Sequence, residues 1–174
     1  LVDEFKNIKR QNIILNEIEN LKNLGFDKII LSGWSAGGWS SLILQSKYPD
    51  KILGTIAFNP AFAGPKNEWQ KKFPEWGAFR EDQLNKLSKA DKINAIIFAH
   101  KDDVFEDPKT LSFFANFKGM RLIDYSELKP TKCTWADGNE KMPSNKGHNI
   151  PQSKCFTKYL EEKNYLISFL ENTL

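Results

Sequence analysis

Lys28-Ile29-Ile30-Leu31-Ser32-Gly33-Trp34-Ser35-Ala36-Gly37-Gly38 joins a short apolar run to a glycine-rich turn. Its first part, Lys28 to Ser32 around Ile29, Ile30 and Leu31, is a short apolar run with β-branched residues, the composition of a strand buried on both faces of a parallel sheet. Gly33 to Gly37 fits the pattern G-x-S-x-G and stands between that strand and a helix predicted from Ala36 to Tyr48, which stops at Pro49. A sharp strand-to-helix turn drives its central residue into a strained backbone conformation and calls for small residues two positions before and after it. Gly33 and Gly37 meet that demand, and Gly38 lets the helix close on the sheet. Such a turn lifts the Ser35 hydroxyl out of the sheet edge at a helix start, where unpaired N–H groups and the helix dipole favour a developing negative charge. The main-chain N–H of Ala36 is the expected oxyanion donor. Three fixed letters recur by chance in about one chain of this size in thirty, so the placement carries the weight, and a glycine-rich helix start with an inert serine is the plain alternative.

Outward from this turn, strands and helices alternate. Phe5 to Leu24 carries Phe5, Ile8, Ile14, Leu15, Ile18 and Leu21 at helical spacing, closed by Gly25 as a left-handed stop with Phe26 beyond it. Strands are predicted at Ile52 to Phe58, Ile93 to Ala99 and Met120 to Tyr125. Helices are predicted at Asp82 to Ala90, at Pro108 to Phe117 between a starting proline and Gly119, and at Gln152 to Leu174. This spacing means right-handed crossovers and a mostly parallel sheet, hence an α/β fold with three layers, α/β/α. With no repeat or Gly/Pro/Ser-rich linker, residues 1–174 read as one domain.

Composition narrows the function. The 174 residues carry a net charge of +3 with lysines scattered among acidic residues, which argues against a nucleic-acid partner. Hydrophobic residues at 40% and aromatics at 13% exclude intrinsic disorder, and no apolar run is long enough for a membrane-spanning helix. Two cysteines, Cys133 and Cys155, match no metal-ligand spacing.

A nucleophilic serine needs a base, and the residues offer His100, at the end of a predicted strand, and His148, in a loop before the last helix. The acid that orients the base has two candidates in the turn after Ile93 to Ala99, Asp102 and Asp103. With the Gly33–Gly37 turn, this order resembles the α/β-hydrolase superfamily, whose triad runs serine, acid, histidine, with the histidine before the last helix. That resemblance implies His148 as the base. His100-Lys101-Asp102-Asp103-Val104-Phe105 resembles the family's Gly-x-Asp-Asp-x-Phe loop with His100 in place of glycine, which implies Asp103 as the acid and leaves Asp102 as the alternative.

The resemblance runs from the opening helix to the last one and is closest to dienelactone-hydrolase-like and prolyl-oligopeptidase-like esterases. It implies a serine hydrolase that cleaves a small-molecule carboxylic ester through an acyl-enzyme, with no metal and no cofactor. A peptidase or amidase, or a binding protein that kept the fold without turnover, are the rival readings. It further implies that the chain is the carboxy-terminal catalytic portion of the fold. The N-terminal strands would then lie ahead of the opening helix, together with a loop supplying the second oxyanion donor, leaving the strand at Lys28 to Ser32 with an unpaired edge. Residues 62–80, with Phe62, Trp69, Phe73, Trp76 and Phe79, stand where such enzymes insert lids. Trp34, Trp69 and Trp76 are the candidate substrate-binding residues. A Cys133–Cys155 disulfide would pin the His148 loop and place the chain in the periplasm or outside the cell; without it the compartment is cytoplasmic.

Overall fold

Residues sharing one side of each apolar run decide how the layers stack. The computed structural model describes residues 4–69, 71–129, 134–135 and 147–174. Its elements are α1 (Glu4–Asn23), β1 (Ile30–Trp34), α2 (Ala36–Lys47), β2 (Gly54–Phe58), α3 (Lys66–Trp69), α4 (Pro74–Leu87), β3 (Ala95–Ala99), β4 (Met120–Asp124), α5 (Lys154–Lys163) and α6 (Tyr165–Thr173). The four strands form a parallel sheet in the order β1-β2-β3-β4. Thr55 pairs with Ala95 and Ala57 with Ile97, so Ala57, Ala95, Ile97 and Ala99 share a face. Trp39, Leu42 and Ile43 of α2, Leu84 and Leu87 of α4, and Phe114 pack there. The other face presents Ile56, Ile96 and Phe98 to Phe156, Tyr159 and Phe169 of α5 and α6. Helix α1 packs through Ile18 against Leu44 of α2 and completes the first layer. The result is the expected three-layer α/β/α arrangement. Among the described residues, no helix is long and apolar enough to cross a membrane.

Local chemistry explains the boundaries. Helix α1 ends in a Schellman motif: Gly25 sits at φ 93°, the Phe26 N–H reaches the Leu21 carbonyl at 3.0 Å, and the Gly25 N–H reaches that of Lys22 at 2.9 Å. Strand β1 is shifted two residues from the predicted range, and it is half-buried to exposed instead of buried on both faces. It lies at the sheet edge with β2 as its neighbour, so neither face is fully covered. Helix α4 begins at Pro74, well before the predicted Asp82, with the proline in its first turn; residues 62–80 therefore include α3 and the first half of α4.

Two further predicted helices are corrected. Between Pro108 and Phe117 the chain forms turns and a 3-10 helix, Ser112–Asn116. The Thr110 N–H donates to the Asp107 carboxylate at 2.8 Å and the Asp107 N–H to the Thr110 hydroxyl at 2.9 Å, a local exchange that competes with α-helical pairing. The closing helix is two helices, preceded by a 3-10 turn at Ile150–Gln152. Asn164 divides them at φ 53° and ψ 23°, a left-handed conformation that asparagine tolerates. Cys133 lies outside the described residues, and the expected bridge to Cys155 lies outside them with it.

The turn requires glycine at Gly33 and Gly38, and not at Gly37 as expected. A Cβ on Gly33 would lie 2.5 Å from the Gly37 carbonyl carbon, and one on Gly38 would lie 2.8 Å from the Gly33 carbonyl oxygen, whereas one on Gly37 would meet nothing within 4 Å. The crowding is between the end of β1 and the start of α2, and Gly37 points away from it. Gly33→Ala and Gly38→Ala should each lose about 1–3 kcal/mol through overpacking. Gly37→Ala should gain about 0.5–1 kcal/mol from helix propensity. Urea denaturation of the three variants checks the contrast.

Candidate active site

Ser35 stands between β1 and α2 at φ 55° and ψ −126°, a region that costs a non-glycine residue about 1–3 kcal/mol. Main-chain bonds hold it there: the Ser35 N–H donates to the Phe58 carbonyl at 3.0 Å, and the Ser35 carbonyl accepts from Trp39 at 3.1 Å and Ala61 at 3.2 Å. The strain is thus imposed by β2, by the start of α2 and by the chain that follows β2. Ala36 is the first residue of α2, where an N–H has no intrahelical partner.

Three of the side chains named from the sequence come together at the carboxyl end of the sheet. His148 Nε2 lies 2.9 Å from Ser35 Oγ, and His148 Nδ1 lies 2.8 Å from Asp103 Oδ2. His148 and Asp103 are both buried. A carboxylate only accepts, so Nδ1 carries the proton and Nε2 faces the hydroxyl as an acceptor. The other Asp103 oxygen accepts from the Phe105 N–H at 2.8 Å, which fixes the carboxylate on its turn. Asp102 is exposed, its carboxylate 3.9 Å from His100 Nδ1. His100 is buried with both ring nitrogens engaged by main chain: Nε2 donates to the Leu128 carbonyl at 2.9 Å and Nδ1 accepts from the Asp102 N–H at 3.1 Å.

Beside Ser35 a cleft of about 270 Å³ is lined by Ser35, Ala36, Ala61, Phe62, Gly64 and Phe105. Phe105 also packs on the His148 ring, with centroids 4.5 Å apart. The three tryptophans take different places. Trp34 is tied to the histidine loop, its indole N–H donating to the His148 carbonyl at 2.9 Å. Trp76 lies behind the cleft wall, so close to Gly64 that a Cβ there would be 2.3 Å from its ring. Trp69 lies against Arg80, whose guanidinium carbon is 5.6 Å from the ring centre, and is not among the residues lining the cleft.

Two residues that sequence reasoning passed over shape the site. Gly147 lets the histidine loop touch the acid loop: a Cβ there would be 2.3 Å from the Asp102 carbonyl carbon and the Asp103 nitrogen. Asn59, one residue past β2, is fully buried at φ 42°, and its side chain binds the main chain of the histidine loop. The available signals were a glycine immediately before the histidine and an Asn59-Pro60 pair at a strand end.

Behind Asp103, Arg80 forms a buried fork with Glu106, Nε to Oε1 at 2.5 Å and Nη2 to Oε2 at 3.0 Å, and Nη2 also donates to the Thr110 carbonyl at 2.8 Å. Burial pushes the Glu106 carboxyl above the usual carboxylate range against the pull of Arg80, and the Asp103 charge adds to the rise.

No family model and no curated protein matches this chain. Solved structures do. A predicted CIB-like hydrolase from Thermoplasma acidophilum superposes with a TM-score of 0.58 at 18% identity, covering 98% of this chain and 62% of its own. Est816, described as an N-acyl homoserine lactone degrading enzyme, superposes with a TM-score of 0.51 at 11% identity, covering 91% of this chain and 74% of its own. This chain therefore spans less than two thirds of the length of the first of these, and what the two share with it is the fold.

Arg80→Met should lose about 3–5 kcal/mol near neutral pH, because it leaves a buried carboxylate unpaired. A carboxyl whose folded pKa is raised stabilises the fold below its unfolded pKa and loses that contribution as pH rises through the raised value. Removing Arg80 takes away the guanidinium that pulls the Glu106 carboxyl down, so it rises further in the variant than in the parent, and the deficit should shrink at about pH 5 compared with about pH 7.5. Urea melts at both values check the magnitude and the sign.

Proposed function

We propose that this chain, which has the α/β-hydrolase fold, is a serine hydrolase that cleaves a carboxylic ester through an acyl-enzyme. The observation that carries the reading is the continuous series Ser35 Oγ, His148 Nε2, His148 Nδ1 and Asp103 Oδ2, with contacts of 2.9 and 2.8 Å. That series gives a hydroxyl, the base that removes its proton and the carboxylate that orients the base. The strained turn at Ser35 supports it, since such conformations persist where function needs the side chain presented.

In this reading Ser35 Oγ attacks the ester carbonyl carbon as His148 Nε2 takes its proton. The carbonyl oxygen gains negative charge and receives the Ala36 N–H, aided by the start of α2. The imidazolium, balanced by the buried Asp103, then gives its proton to the departing alcohol oxygen, leaving Ser35 acylated. Water attacks the acyl carbon, His148 removes its proton and returns it to Ser35 Oγ, and the carboxylic acid leaves. Asp103 remains ionised throughout.

The cleft lining suggests the acyl group. Ala61, Phe62, Gly64 and Phe105 bring no charge to the face beside Ser35, and about 270 Å³ suits a short aliphatic or aromatic acyl chain. Trp76 closes the wall behind Gly64 and limits the chain length. Trp34, held by its bond to the histidine loop, borders the site from the β1 side. A neighbouring fold whose name describes lactone degradation is consistent with ester chemistry.

A fluorophosphonate probe should label Ser35 in the parent protein and fail on Ser35→Ala. Absence of labelling in the folded parent, with no ester turned over, would overturn the assignment. Asp103→Asn should lower kcat by about ten-thousandfold, while Asp102→Asn should leave turnover near the parent value. With a series of nitrophenyl esters, Trp76→Ala should move the preferred acyl chain to greater length; an unchanged length profile would remove Trp76 from the pocket.

A further inference from the structure

The base sits on a turn outside the sheet, at Gly147 and His148, so no ladder of strand hydrogen bonds fixes it. Asn59 supplies a substitute. Its Nδ2 donates to the Gly147 carbonyl at 2.9 Å and to the His148 carbonyl at 3.0 Å, while its Oδ1 accepts from the Tyr125 hydroxyl at 2.9 Å. Its own N–H donates to the Phe98 carbonyl at 2.8 Å, anchoring it to β3. These partners determine the amide orientation, because the reverse placement would set Oδ1 against two carbonyl oxygens. Burial pushes the Tyr125 hydroxyl well above its ordinary range, so it keeps its proton and donates.

We propose that Asn59 is a positioning residue for His148. Its amide fixes the main chain of Gly147 and His148 so that the imidazole lies between Ser35 and Asp103, and the Tyr125 hydroxyl sets which end of the amide meets the loop. The proposal rests on the serine-hydrolase reading for its effect on rate, but not for its effect on the imidazole. Asn59 does not reach the reacting atoms. It acts through main chain, which distinguishes it from Asp103, and it shares the His148 carbonyl with the Trp34 indole, so its removal leaves the loop partly held.

The left-handed φ of Asn59 offers a clean variant. Asn59→Gly keeps a backbone that accepts φ 42° and removes the side chain that carries the amide. Expected is a fall in kcat of about a hundredfold, per site titrated with fluorophosphonate, with KM within about twofold of the parent. The far-downfield proton resonance of the His148 Nδ1–H, identified by its loss in His148→Ala, should shift or broaden. Tyr125→Phe, which removes a single oxygen, should give a smaller change of the same kind, and it serves if the glycine variant does not fold. A folded Asn59→Gly with a lower Tm, unchanged kcat per titrated site and an unchanged His148 resonance would overturn the proposal and leave Asn59 a purely structural residue. If the parent turns over no ester, the hydrolase reading fails by itself, and the resonance in the two variants still decides whether the clamp exists.

Discussion

The backbone of Ser35 is held at φ 55° by hydrogen bonds from the sheet, from the helix behind it and from the chain after β2. A residue held there would relax if its surroundings let it, and they do not. The bond to Phe58 fixes its nitrogen, the bonds from Trp39 and Ala61 fix its carbonyl, and Gly33 and Gly38 let β1 and α2 approach closely enough for all three to form. The sheet, the helix behind it and the chain after β2 thus act together on one peptide unit. The outcome is a hydroxyl delivered at a helix start next to an apolar cleft.

Opposite that hydroxyl the polar interior is layered. Asp103 touches the imidazole, the Phe105 N–H holds Asp103, and the Arg80–Glu106 fork lies behind the same turn. Asn59 and Tyr125 hold the other side of the histidine loop. In a low-dielectric interior each of these groups would be costly alone. Here each polar group has its own hydrogen-bond partner, which fixes the acid turn and the histidine loop in place.

Much of this could be read from the sequence, for physical reasons that differ by residue. The turn at Ser35 announces itself because a steric demand restricts which residues can flank it, although the clash falls at Gly33 and Gly38 and not at Gly37, since it depends on the direction of a Cβ that letters do not give. The order of a triad along the chain points to His148 and the loop His100 to Phe105 points to Asp103, and the fold places the His148 ring between Ser35 Oγ and the Asp103 carboxylate. The Asn59-Pro60 pair marks a strand end but not its role, because the partners of the Asn59 amide nitrogen lie 88 and 89 residues away and are carbonyl oxygens, which every residue has. The division of the last helix at Asn164 escaped because apolar spacing continues across it, and the 3-10 turn at Ser112–Asn116 because proline before and glycine after mark either kind of helix. The half-buried state of β1 reflects its place at the sheet edge, a property of topology and not of its five residues.

The clamp on the histidine loop has a bearing on how the chain reaches its native state. Ser35, Asn59, Asp103, Tyr125 and His148 come from four separate strand ends and a late loop, so their meeting closes some of the longest loops in the molecule. Contacts of such separation are slow to form, and they gain nothing until the strands beneath them are in register. The convergence of these five side chains therefore depends on the register of all four strands, and a substitution that disturbs strand alignment is expected to be felt there even where it leaves the helices intact.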